Sequence, residues 1–81
     1  MPTVMRAHGF AFRVRTRDHN PPHVHAVGTE GEVVVIIETA TAWRVEGRVR
    51  QAEVNCAEAV VAEHRDRFRA AWEQATRQVS R

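Results

Sequence analysis

The chain divides into two parts that differ in the spacing of their apolar residues. Residues 7–47 alternate between apolar and polar positions and contain turn signals, whereas residues 50–79 repeat apolar side chains every three or four positions. The first spacing is typical of strands and the second of helices. We predict a single α+β domain over residues 1–81, with a small sheet of three to four mainly antiparallel strands. One long or two short C-terminal helices would pack on one face of it.

The first predicted strand separates apolar from basic side chains. Its core face carries Phe10, Phe12 and Val14. Its other face carries Ala11 and then an arginine at every second position: Arg13, Arg15 and Arg17. This pattern predicts a half-buried strand with a basic outer face.

Turn signals place the remaining strands. The Asn-Pro-Pro run at residues 20–22 breaks the chain, because proline donates no ladder hydrogen bond and makes the preceding residue extended. A second strand is predicted over residues 23–27, followed by a hairpin loop at 28–31. The third strand, residues 32–38, has five consecutive apolar residues, which indicates that both of its faces are covered. A short fourth strand around Trp43 and Val45 ends at Gly47.

The helical part places its apolar residues on one stripe. The members of this stripe are Val54, Ala57, Val61, His64, Phe68, Ala71, Trp72, Ala75 and Val79. We favour a break near His64, because the mean helix is about three turns long. His64 is expected to be buried and hydrogen-bonded, and Trp43, Phe68 and Trp72 are expected in the core.

Length and composition limit the classes of protein. No stretch approaches the roughly 18 apolar residues of a membrane span, and the N-terminus lacks a signal-peptide pattern. With Cys56 as the single cysteine, we expect a cytoplasmic protein without disulfides or membrane association. Eighty-one residues form only a small core, so a metal, a partner chain or homo-oligomerisation would add stability.

The candidate chemistry lies in a segment rich in histidine. His19, His23 and His25 fall within seven residues, next to Asp18. On a strand, His23 and His25 point the same way, with Cα atoms roughly 7 Å apart. The pair can bind a divalent ion such as zinc or manganese, completed by Asp18 or His19, or it can perform acid–base chemistry. Alternatively, Asp18 caps the turn and the histidines only hydrogen-bond to the backbone.

The arginine row leads directly into this segment. Alternate residues of a strand repeat at about 6.6 Å, which is close to the spacing of phosphates along extended nucleic acid. Arg13, Arg15 and Arg17 are therefore candidates for binding RNA phosphates. The alternative is that they protect an exposed sheet edge from pairing. No aromatic residue lies on this outer face to stack bases, which counts against sequence-specific binding of single-stranded nucleic acid.

The segment Asp18-His19-Asn20-Pro21-Pro22-His23-Val24-His25-Ala26 closely resembles the signature of a prokaryotic family, the domain of unknown function four-one-six-zero. The resemblance covers most of the chain and includes Gly9-Phe10 and Glu63-His64 followed by Trp72. It departs at Val24, where an aromatic residue is common, and near Arg50, where many relatives have a proline. The resemblance implies no activity. It implies a small partner protein encoded nearby, as in toxin–antitoxin pairs.

Three hypotheses follow for the function. In the first, the chain is a toxin-like ribonuclease or RNA-binding component in which His19, His23 and His25 are catalytic and Asp18 orients one imidazole. In the second, it is a non-catalytic interaction module or an antitoxin-side regulator. In the third, it is a small metal-binding hydrolytic domain with His23, His25 and Asp18 as the ligands.

Overall fold

The computed structural model describes residues 3–15 and 20–79 of the chain. Within this part, five strands precede two helices. The elements are β1 (Thr3–Ala7), β2 (Phe10–Arg13), β3 (His23–Val27), β4 (Gly31–Ile36), β5 (Thr41–Gly47), α1 (Gln51–Glu63) and α2 (Arg65–Val79). The α+β class and the helical C-terminal part are confirmed. None of the helices described is both long enough and apolar enough to cross a membrane.

The sheet is an antiparallel meander in which sequential strands are neighbours, in the order β1-β2-β3-β4-β5. It has one strand more than the three to four predicted. The additional strand is β1, which pairs with β2 through a register irregularity between Thr3 and Met5. Four of its five residues are partly buried, so it lacks the alternation that identifies a strand from sequence.

β2 corresponds to the first predicted strand and is shorter than predicted. This changes the interpretation of the arginine row. β2 ends at Arg13, so Arg15 follows the strand, and Arg17 lies outside the described residues. Ala11 on the supposed outer face is only 7% exposed. Arg13 and Arg15 therefore do not lie on one exposed strand face, and the row of three stays a prediction because Arg17 is not among the described residues.

The core lies between one face of the sheet and the helices. Phe12 stands at its centre, opposite Ala26 of β3, and its ring centroid lies 5.7 Å from that of Phe68 in α2. Three successive residues of β4, Val33 to Val35, are buried. Since they point to alternate faces, both faces of this strand are covered there, as its unbroken apolar sequence predicts.

The predicted break between two helices is confirmed at His64. This residue ends α1, and its N–H donates to the carbonyl of Val60 at 3.0 Å. Its side chain is 36% exposed, so the expectation of a buried histidine is wrong. Beyond the break, Arg65 and Arg67 donate to the carbonyls of Ile37 and Val4 and thereby fix the start of α2 to the sheet.

Gly47 has the strictest backbone requirement of the glycines in this fold. Its φ of +81° is left-handed, and an added Cβ would lie 2.4 Å from the carbonyl oxygen of Glu30. Gly9 has nearly the same φ, +79°, but nothing lies within 4 Å of its Cβ position. The two residues therefore separate the cost of the backbone conformation from the cost of the steric clash.

We predict that Gly9→Ala lowers the free energy of unfolding by about 1–2 kcal/mol through its backbone conformation alone. Gly47→Ala should cost a further 1–3 kcal/mol or so, because the backbone of Glu30 must move. Urea denaturation of both variants measures the difference. Equal stabilities of the two variants would contradict the expected clash between a side chain at residue 47 and the backbone of Glu30.

Candidate functional site

The structure places two of the sequence-predicted histidines together on β3. His23 and His25 share one face of the strand, and their ring centroids lie 5.0 Å apart. Both residues are buried, with 6% and 3% of their surface exposed. The candidate catalytic residues Asp18 and His19 lie outside the described residues, so their roles stay predictions.

The imidazole of His25 is held by Glu32 of the neighbouring strand. The β3–β4 register sets His25 opposite Val34, so that Glu32 is its diagonal neighbour on the same face. Nδ1 of His25 lies 2.6 Å from Oε2 of Glu32. Because a carboxylate accepts hydrogen bonds, Nδ1 carries the proton, and the lone pair of the neutral ring is on Nε2. This tautomer suits a general base.

His23 is fixed by its own turn and by two indoles. Its Nδ1 lies 2.7 Å from the carbonyl oxygen of Pro21, which can only accept, so the proton is again on Nδ1. Its ring centroid lies 5.3 Å from Trp72 of α2 and 5.4 Å from Trp43 of β5. The sheet and the second helix together therefore fix the position of this imidazole.

Trp43 belongs to this site and not to the core. The expectation of a core residue is wrong, because 54% of its surface is exposed. The β4–β5 register shifts between Val34 and Val35, which pair with Arg44 and Ala42. Trp43 is thus the extra residue at an irregularity in an edge strand. Phe68 and Trp72 are buried, as expected.

The two described arginines of the predicted row have different surroundings. Arg15 lies 3.7 Å from the carboxylate of Glu32, measured from its Nη2. Arg13 stands directly opposite His25 across the β2–β3 pair. Its Nε is buried and has no hydrogen-bond partner within the part of the chain that is seen. A buried donor without a partner costs about 1–3 kcal/mol.

The metal hypothesis gains no support from the described side chains. Residues 3–15 and 20–79 contain no group of three or more histidine, cysteine, aspartate or glutamate side chains that could hold a metal. Asp18, the third predicted ligand, is not among them. A site made by His23, His25 and Asp18 stays a prediction, which elemental analysis of the purified protein tests.

Sequence reasoning missed Glu32 and Trp43. The signal for Glu32 was present in the sequence, because the predicted hairpin loop at residues 28–31 sets Val27 opposite Glu32. His25 and Glu32 are then diagonal neighbours. The position of Trp43 had no such signal, since it depends on the irregularity in β5.

A separate concavity lies at the other end of the sheet, by the connections β1–β2 and β3–β4. It has a volume of about 600 Å³, and Gly9, Glu30 and Arg50 are among the residues that line it. Glu53, also on its wall, accepts from the backbone N–H of Arg50 at 2.8 Å and so caps α1. This carboxylate has a structural role, and none of the sequence-predicted site residues lines the concavity.

Comparison with known proteins identifies one family. The family model described as Domain of unknown function (DUF4160) matches residues 9–73, which is most of the chain and includes both histidines of β3. No curated protein and no solved structure matches the sequence significantly.

We predict that Glu32→Ala lowers the free energy of unfolding by about 1–3 kcal/mol, because it leaves the buried Nδ1–H of His25 without its acceptor. Glu38→Ala is the matched control: this residue is exposed, follows β4, and forms a surface ion pair with Arg69. Its loss should cost about 0–1 kcal/mol. Urea denaturation compares the two, and equal effects would show that the His25–Glu32 pair is not a buried hydrogen bond.

Proposed function

Since the chain belongs to the family described as Domain of unknown function (DUF4160), which names no activity, we propose its function from the geometry of His23, His25 and Glu32. The chain is a toxin-like component of a bacterial two-protein module that binds and cleaves RNA. The observation that carries the proposal is the buried His25–Glu32 pair, with a second imidazole beside it.

This cluster has the groups that metal-free cleavage of RNA requires. His25 takes the proton from a ribose 2′-hydroxyl, whose oxygen attacks the neighbouring phosphorus. The bond to the 5′-oxygen breaks, and protonated His23 gives this leaving oxygen its proton. The products are a 2′,3′-cyclic phosphate and a 5′-hydroxyl. Glu32 orients the base and stabilises the imidazolium that forms on it.

Two arginines supply positive charge beside the imidazoles. Arg13 stands opposite His25, and a movement of its side chain would let a phosphate oxygen accept from the Nε–H that is buried in the free chain. Arg15 lies beside the carboxylate of Glu32, within reach of the same region. Charge at these positions would bind the phosphate and stabilise the negative charge that develops on its oxygens.

Trp43 supports RNA as the substrate class. Its indole is more than half exposed and contacts the ring of His23. An exposed aromatic ring next to a phosphate-binding site can stack an unpaired base, which contributes about 1–3 kcal/mol per base. The 2′-hydroxyl that this cleavage needs is present in RNA and absent from DNA.

The assignment to a two-protein module has separate support, namely the gene arrangement that the resemblance in residues 18–26 implies. Within this proposal, Asp18 and His19 would complete the acid–base site and Arg17 would extend the phosphate contacts.

We expect the native chain to cleave single-stranded RNA in the presence of a chelator and to leave 2′,3′-cyclic phosphate ends. Glu32→Gln keeps an acceptor for His25 and removes the charge, so the rate should fall strongly while the thermal stability changes little. His25→Gln should lower the rate by about 10²–10⁴. Gel assays with end analysis measure both effects.

The matched control for this experiment is Glu38→Gln, which changes an exposed carboxylate outside the histidine cluster and outside β5 and should leave the rate unchanged. The proposal fails if the native chain cleaves no RNA with or without added divalent metal. It also fails if Glu32→Gln and Glu38→Gln cleave at the same rate.

One observation favours a second function, a non-catalytic interaction module or antitoxin-side regulator. Both histidines are nearly fully buried and hydrogen-bonded within the chain, as structural histidines are. On this account, His23→Ala/His25→Ala lowers the melting temperature but still binds the protein encoded nearby. Thermal unfolding and co-purification measure these outcomes. Loss of growth inhibition at unchanged stability would argue for the catalytic function instead.

A further inference from the structure

The last strand of the sheet is an edge that carries exposed apolar residues. Among the described residues, β5 pairs only with β4, so the other side of its backbone is available for pairing. Two of its residues are large exposed hydrophobics, Trp43 at 54% and Val45 at 44%. Edge strands of this kind are sites where another strand can add to a sheet.

The charges of β5 complement those of a second copy of the same strand. Arg44 and Glu46 are both exposed and lie on either side of Val45. In an antiparallel pair centred on Val45, each Arg44 stands opposite the Glu46 of the other copy, and each Val45 stands opposite its own equivalent. Opposite charges that face each other across strands stabilise the pair, and like charges destabilise it.

Neighbouring registers lack this complementarity. Centring the pair on Arg44 sets two arginines against each other, and centring it on Glu46 sets two glutamates against each other. The register centred on Val45 also sets Trp43 opposite Gly47, which has no side chain and leaves room for the indole. Glu58 already accepts from the N–H of Ala42 at 2.7 Å, so the pairing begins after this residue.

We propose that β5 is a homodimerisation edge, at which two copies of the chain pair antiparallel about Val45 and form one continuous sheet with five strands from each copy. The two Arg44–Glu46 pairs fix the register, and Val45 and Trp43 add apolar area. A second copy would supply the stabilisation that a core of this size needs. The proposal shares Trp43 with the proposed function but involves none of His23, His25 and Glu32, so association of the chain tests it without reference to RNA cleavage.

Charge reversal tests both the edge and its register. Sedimentation velocity over a concentration series should show a reversible dimer for the native chain. Arg44→Glu or Glu46→Arg alone sets like charges opposite each other twice and should weaken dimerisation on the order of tenfold. An equimolar mixture of these two variants should restore the dimer as a heterodimer, and Arg44→Glu/Glu46→Arg in one chain should restore the homodimer.

A control and a covalent test complete this experiment. Glu73→Arg reverses an exposed charge on α2 and should leave the dimer unchanged. In a Cys56→Ala background, Val45→Cys should form an intermolecular disulfide, because paired residues at a strand interface have Cα atoms about 4.5–5.5 Å apart. Thr41→Cys should not form this disulfide. Each Thr41 lies four residues from the centre of the pair at Val45, and the two copies of this residue lie on opposite sides of that centre. Circular dichroism checks that each variant is folded.

A native chain that stays monomeric at all concentrations overturns the proposal. A dimer that is unaffected by both single reversals also overturns it, since another surface then forms the contact. Failure of the mixed variants to associate, or cross-linking through Thr41→Cys in place of Val45→Cys, overturns the register.

Discussion

The pairing register between β3 and β4 is the constraint on which the rest of this structure depends. Val24 and Ala26 lie in the apolar core, whereas His23 and His25 share the opposite face of the strand, where Trp72 of α2 also contacts His23, and all four residues of β3 are buried. A slip by one residue would exchange these two sets and place imidazoles in the apolar core. The cost of burying polar groups without partners therefore opposes a slip by one residue. The same register makes Glu32 the diagonal neighbour of His25.

Much of the fold could be predicted because its signals are local. The bounds of β3 follow from the proline turn before it and the glycine loop after it, and the break at His64 follows from helix length. β1 and the end of β2 could not be placed in this way. β1 is partly buried along most of its length and irregular in register, so its sequence has no period of two. Arg15 continues the alternating pattern of the strand beyond its last residue, Arg13.

The site, like the fold, has some features that follow from a short stretch of sequence and others that depend on contacts between distant residues. That His23 and His25 share a face follows from the geometry of a strand alone. The contact of His23 with Trp72 joins residues from opposite ends of the fold, and no spacing in the sequence indicates it. Arg13 was predicted as an outward-facing cation, yet its Nε is buried, and the alternation of the strand does not indicate this.

Glu32 connects the histidine cluster to the edge strand. It stands opposite Glu46 in the β4–β5 register, and two carboxylates in this arrangement repel each other. Each has its own compensation: His25 and Arg15 lie beside Glu32, and Arg44 lies beside Glu46. Removal of the groups beside either carboxylate would strengthen the repulsion between Glu32 and Glu46. The orientation of the imidazole and the charge pattern of the edge strand are thus parts of one electrostatic arrangement that crosses three strands.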